Sequence, residues 1–269
     1  MTVSAVISPV MAYLDRFLIG AILPLAAVAH YVTPYELVTK LLVVPQAMVV
    51  AAFPAFAATY ATDRARTAVF FERTLRVVLL VMFPLLLTVV MFAREGLTLW
   101  VGAEFAAPST AVLQWLAIGV FINAMAQAPY VVLQSTGRPD LNAKLHLLEL
   151  PIYLVALWWL AQRFGIVGVA MAWSGRAMID AVALVLLASR RVPGEPRQIV
   201  LTLLTLVGVP AILGVATLVA DLVVKAIVLI LVLIVFAYLG WTRLVQPAER
   251  DGLLDWARWR RRPVVSAGE

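Results

Sequence analysis

Three stretches without a single charge constrain this chain most: Val77 to Ala93, Ile199 to Ala220 and Ala226 to Trp241. Each reaches or approaches the roughly 20 apolar residues that an α-helix needs to cross hydrocarbon. They are continuous rather than amphipathic, so they face lipid or other apolar helices. A barrel of the porin kind would show segments of about 10 residues alternating apolar and polar, and the sequence has none. Hydrophobic residues make up 64% of the 269 positions and charged ones 13%, against about 45–50% and about 25% in soluble domains. The expected fold is all-α, a polytopic bundle of about eight transmembrane helices.

Placing a span on each apolar run gives 3–29, 38–60, 76–93, 110–135, 145–162, 166–189, 199–220 and 222–244. With eight spans both termini share one side. That side receives Arg64, Arg66, Arg73, Arg76, Arg138, Lys144, Arg190, Arg191, Arg197, Arg243 and the five arginines from Arg250 to Arg262, fifteen of the 21 basic residues. The other side holds Lys40, Arg94, Arg163 and Lys225, while Arg16 and Arg176 fall inside spans. Basic residues gather on the cytoplasmic side of membrane proteins. The termini are therefore expected in the cytoplasm, in a bacterial inner membrane. The net charge of +6 then reads as a topology signal, not as a nucleic-acid footprint.

Connections carry the expected punctuation. Thr136-Gly137-Arg138-Pro139-Asp140 reads as a tight turn and Arg191 to Arg197, with Pro193, Gly194 and Pro196, as a longer one. Residues 61–76 mix both charge signs at helical spacing and predict an amphipathic helix at the inner interface. Residues 94–107, with Trp100 and Phe105, predict a short interfacial segment on the outer side. The basic tail 246–269, with Trp256 and Trp259, is expected either on the anionic inner leaflet or as a solvated end. There is no cysteine, which excludes disulfides and thiol chemistry. No HExxH, Walker loop or paired-carboxylate motif is present, and two histidines do not make a zinc site. The reading is non-enzymatic, with no cofactor and no metal.

An ionisable residue at membrane depth costs at least about 2.5–3.5 kcal/mol and so faces a cavity or a partner. Asp15 and Arg16 are adjacent inside the first span and point about 100° apart, so each is expected to meet another helix. They read either as a substrate or coupling site or as a structural ion pair. Arg176 and Asp180 are four apart, a spacing that allows a salt bridge within one helix. Lys144, His146 and Glu149 cluster near one end of the fifth span, His146 and Glu149 on a common face; Lys144 can snorkel to headgroups, and His146 reads as a packing residue or a proton relay. Glu36 and Lys40 form an i, i+4 pair at the outer start of the second span. Prolines 9, 24, 45, 54, 84, 129, 151 and 210 lie within spans and permit kinks.

The order of several motifs then carries a resemblance. Tyr13-Leu14-Asp15-Arg16-Phe17-Leu18-Ile19-Gly20, Val32 to Lys40, Phe53-Pro54-Ala55-Phe56, Leu133 to Asp140, Lys144-Leu145-His146 through Pro151, and Phe164 to Trp173 together resemble the bacterial polysaccharide flippases of the O-antigen and exopolysaccharide type. These belong to the multidrug/oligosaccharidyl-lipid/polysaccharide exporter superfamily. The resemblance covers most of residues 1–191. It implies the second of two six-helix bundles over 1–190, two additional helices over 191–245, and the basic tail. With an apolar stretch beginning almost at Met1, it also implies a truncated chain that lacks the first bundle.

By the same resemblance the chain would translocate an undecaprenyl-diphosphate-linked oligosaccharide across the inner membrane. Its partners would be that lipid-linked oligosaccharide, membrane lipids, a missing N-terminal bundle and polysaccharide polymerase machinery, with no nucleic acid. Basic residues in a wet cavity would offset the diphosphate charge, Arg16 first, with Lys40 and Arg176 behind it. Asp15 would set a pKa or bind a coupling ion, and Asp180 completes the cavity set; Lys144, His146 and Glu149 are secondary. Alternatives are an inactive half-transporter or assembly partner, and a drug/cation antiporter or peptidoglycan-precursor flippase of the same superfamily. A membrane glycosyltransferase or ligase is disfavoured, because no extended loop could hold its site.

Overall fold

A computed structural model describes residues 15–192 and 195–244. The opening of the first expected span and the tail 246–269 lie outside them. The described residues form helices with no strand, so the chain is an all-α polytopic membrane bundle. In chain order these are α1 (residues 15–22), α2 (Leu25–Thr39), a 3-10 turn (Lys40–Leu42), α3 (Val43–Thr62), α4 (Arg64–Met91), α5 (Ala93–Val101), α6 (Ala103–Ser135), α7 (Pro139–Ser189), α8 (Pro196–Ala216) and α9 (Leu222–Leu239), followed by a π turn (Gly240–Leu244). Six helical stretches among the described residues are long and apolar enough to span a membrane.

α7 is longer than any one crossing requires, 51 residues or about 77 Å if straight. It is not straight. Gly165 takes φ 57°, ψ −138°, a conformation that an L side chain resists. Three residues on, Gly168 packs so tightly that a Cβ there would lie 2.0 Å from the Leu160 carbonyl oxygen. Residues eight apart in a straight helix stand about 12 Å apart, so the chain doubles back at Gly165. α7 is thus two antiparallel arms, residues 139–164 and 166–189, matching the expected spans 145–162 and 166–189 in place and number.

The expected spans 3–29 and 38–60 change more. The chain turns at Leu23–Pro24, where Pro24 adopts an extended ψ of 148°. From Ala26 to Thr62 it continues as one 37-residue apolar helical stretch, so the expected outer connection at 30–37 is helix. The polar groups that mimicked a loop are satisfied inside the protein: His30 Nδ1 lies 3.2 Å from Ser109 Oγ on α6, and Tyr31 donates to Asp15 on α1. The amphipathic helix expected at 61–76 is the opening of α4, continuous with the span that follows. Asp63 starts it by accepting from the Arg66 amide at 3.0 Å. Prolines 34, 54, 84, 129, 151 and 210 all sit inside assigned helices; the reversal falls at a glycine instead.

α6 is the axis of the compact unit that runs through Lys225. It packs on α2, α3, α4, α5, α7 and α8. Small residues permit this: a Cβ on Gly119 would lie 2.5 Å from the Trp173 ring and the Ser174 hydroxyl, and Ser174 Oγ donates to the Trp115 carbonyl at 2.8 Å. A Schellman turn ends α6, with Gly137 at φ 76° and the Arg138 amide reaching the Leu133 carbonyl at 2.9 Å. α8, expected as the first of an added pair, packs against α4, α6 and α7. Residues 226–244 belong to a separate compact unit.

The two ends of the first unit differ in charge. Val49, Phe56, Ala68, Val131, Val132, Ala188 and Val192 form one cluster, which gathers the turns at Asp63, Gly137 and Arg190 at a single end. Arg64, Arg66, Arg138, Lys144, Arg190, Arg191 and Arg197 belong to that end. The opposite end brings α5 to Lys225, whose Nζ bonds Glu95 Oε1 at 2.8 Å, and its basic residues are Arg94, Arg163 and Lys225. Cysteines introduced at Ser189 and Gly96 are therefore expected to react with an impermeant maleimide from opposite faces of sealed vesicles; reaction of both from one face would refute this arrangement. Gly168→Ala should push the α7 arms apart, costing about 1–3 kcal/mol by overpacking, read as a lowered Tm in detergent.

Candidate functional site

The reversal at Gly165 decides which charges meet. It lays the arms of α7 side by side so that Glu149 faces Arg176, at 3.6 Å, and His146 faces Asp180, at 3.6 Å. Arg176 also lies over the Tyr153 ring, 5.5 Å from its centroid and inside the cation–π reach of about 6 Å. The i, i+4 bridge expected between Arg176 and Asp180 is thus replaced by two bridges between arms. A carboxylate as enclosed as Glu149, 3% exposed, needs the nearest cation, and the returning arm delivers one.

The α1–α2 hairpin makes a second polar pair. Asp15, 1% exposed, accepts from the Tyr31 hydroxyl at 2.6 Å and from the Arg16 amide at 2.8 Å. Arg16 hydrogen-bonds the Glu36 carboxylate and lies 5.0 Å from the Tyr35 ring centroid. Each residue of the adjacent pair meets another helix, as expected, but both meet α2. Glu36 is consequently engaged by Arg16 rather than by Lys40. Lys40 stands in the 3-10 turn, within the long helical stretch and not on an outer connection.

Between these pairs lies a cavity of about 370 Å³, lined by Tyr35 and Thr39 of α2, Asn123, Gln127 and Tyr130 of α6, and His146, Trp173, Arg176 and Asp180 of α7. Tyr35 meets Trp173 edge to face at 5.9 Å, and Tyr130 stacks on His146 at 6.4 Å. Gln127 Nε2 donates to Asn123 Oδ1 at 3.0 Å, which leaves each amide further hydrogen-bonding capacity. The volume falls in the range of about 300–1,000 Å³ that small-molecule sites occupy.

Of the expected residues, the structure places Arg176, Asp180 and His146 on the cavity wall, Glu149 behind Arg176, and Asp15 and Arg16 beside Tyr35. Lys144 goes elsewhere: it is exposed and bridges Asp140 at 3.4 Å, where Arg138 also binds at 2.8 Å. Sequence reasoning missed Tyr35, Asn123, Gln127, Tyr130 and Trp173. A signal existed for the amides, since two side-chain amides four apart in an otherwise apolar span share one face. At the end opposite the arginine-rich turns, burial raises the Glu95 carboxyl, but the hydrogen bond and charge of Lys225 outweigh it and hold the group below the ordinary carboxylate range.

The family profile described as "Polysaccharide biosynthesis protein" matches residues 1–110. A Shigella flexneri protein described as a "Putative O-antigen transporter" is 33% identical over 190 residues, which is 71% of this chain and 45% of that protein. The chain therefore spans less than half the length of this curated relative. No solved structure matches.

Removing one member of a buried ion pair strands the other, at about 3–5 kcal/mol. Arg176→Ala should accordingly lower thermal stability in detergent strongly, and Arg176→Ala combined with Glu149→Ala should restore most of the loss. Additive single and double effects would show that the two side chains do not interact.

Proposed function

Residues 1–110 place this chain in the polysaccharide biosynthesis family of membrane proteins, and from that premise we propose that it serves the translocation of a lipid-linked oligosaccharide across the bacterial inner membrane. The supporting observation is the polar, aromatic-walled cavity inside an apolar bundle. A glycan loses many water hydrogen bonds on entering hydrocarbon, and each one unmet costs several kcal/mol. The amides, hydroxyls and charges facing the cavity can replace them, while a prenyl chain remains in lipid.

Under this reading the charge-rich end of the bundle is cytoplasmic, because it carries most of the basic residues, and the substrate enters from there. Arg16 and Arg176 are the cations nearest the cavity, with Asp15 and Asp180 completing the polar wall, His146 and Glu149 supporting it, and Lys40 and Lys144 set further away. A phosphate approaching either arginine competes with its carboxylate partner, Glu36 for Arg16 and Glu149 for Arg176. The polar partners are the lipid-linked oligosaccharide and surrounding lipids, with polymerase machinery as the consumer of the exported unit.

Deleting the gene should leave radiolabelled lipid-linked sugar on the inner leaflet of cells, and restoring it should return the label to the outer one. Arg176→Ala, expressed to the same level, should reduce outer-leaflet label at least about ten-fold, the scale expected from removing a charged contact to substrate. Unchanged export after deletion would end this reading.

A further inference from the structure

The charges around the cavity do not favour an anion. Four carboxyl groups belong to it and to the side chains behind it, Asp15, Glu36, Glu149 and Asp180. Against them stand two arginines and one histidine. Arg16 is hydrogen-bonded to Glu36, Arg176 stands 3.6 Å from Glu149, and His146 stands 3.6 Å from Asp180. Asp15 is held by a tyrosine hydroxyl and a backbone amide. Lys40, the one further cation expected here, is not among the lining residues. α6 contributes the uncharged Asn123, Gln127 and Tyr130.

An anionic group entering this space would lose its hydration, meet the Asp180 carboxylate at close range, and compete for Arg176 with the buried Glu149 and for Arg16 with Glu36. Like-charge contacts of this kind are how interfaces reject partners. An uncharged sugar needs none of that. Its hydroxyls find the Asn123 and Gln127 amides, the Thr39 hydroxyl and the Asp180 carboxylate, and its C–H face finds the Tyr35, Trp173 and Tyr130 rings. An ammonium substituent would gain further from the carboxylates and ring faces.

We propose that this cavity is a specificity site for the sugar portion of the substrate, accepting uncharged or amino-bearing residues, rejecting acidic ones such as uronates, and leaving the diphosphate outside. The proposal rests on the translocation reading above and narrows its substrate class. Two measurements separate them. The full chain in lipid nanodiscs is titrated with a free disaccharide of glucose on N-acetylglucosamine and with its counterpart bearing glucuronate, followed by isothermal calorimetry. The same chain in liposomes is then assayed for flipping of both disaccharides carried on undecaprenyl diphosphate.

The glucose disaccharide should bind at least about ten-fold more tightly than the glucuronate one. Asp180→Asn should shrink the difference to about three-fold or less, and Gln127→Leu should weaken the neutral sugar several-fold while keeping the order of preference. Equal or tighter binding of the glucuronate disaccharide overturns the proposal, as does a preference that both substitutions leave untouched. Flipping of both lipid-linked forms at equal rates keeps the translocation reading and overturns the specificity. Selective binding of the neutral sugar without flipping of either form does the reverse.

Discussion

A carboxylate within a bilayer must bring its partner with it, and Glu149 obtains Arg176 only because the chain reverses at Gly165. Much of the site follows from that requirement. The same reversal sets His146 against Asp180 and turns Trp173 toward Tyr35, so that one glycine, by admitting a backbone conformation closed to other residues, assembles a wall from side chains about 30 positions apart. Without the turn, the second arm would carry Arg176 and Asp180 away, and Glu149 would sit in hydrocarbon with only its own helix beside it.

The other wall depends on α6, and the two walls obey opposite rules. On α6 the residues that bring helices together are small and apolar, among them Ala117, Gly119, Ala124 and Ala128, all buried. Dispersion between closely approaching backbones replaces the hydrophobic drive that lipid cannot supply. Into this surface the sequence inserts Asn123 and Gln127, neutral groups that cost far less to bury than ions. α1, α2 and α7 carry the charges, with Arg16 paired to Glu36 and Arg176 to Glu149. Polarity therefore enters the bundle as amides on the helix that everything touches and as ion pairs on the helices around it.

How much of this was legible in the sequence differs by kind of information. Uncharged runs located α4, α6, α8 and α9 and both arms of α7, because lipid enforces composition along every crossing. Asp15, Arg16, Glu149, Arg176 and Asp180 stood out because a charge at depth is costly wherever it sits. Their pairing was not legible: Arg176 and Asp180 looked like partners at i, i+4, whereas the competing cross-arm contacts exist only once Gly165 has folded the chain. The same holds for 30–37, where His30, Tyr31, Pro34 and Glu36 carry the chemistry of a loop until Ser109, Asp15 and Arg16 are seen beside them. The arginines were visible one at a time, whereas the carboxylates that face them return from other segments, Glu36 to Arg16 and Glu149 to Arg176.

The contact at Gly119 bears on how such a cavity could open. The Trp173 ring and Ser174 hydroxyl occupy the space that any larger side chain would need, and the Ser174 hydrogen bond to Trp115 pins the two backbones at the same height. Neighbouring helices meshed this closely have no clearance for one to slide or roll along the other. The second arm of α7 and α6 must then travel as one body, carrying Trp173, Arg176, Asn123 and Gln127 together. Any opening of the cavity would then tilt this block as a unit, with the spacing of Asn123, Gln127, Trp173 and Arg176 kept.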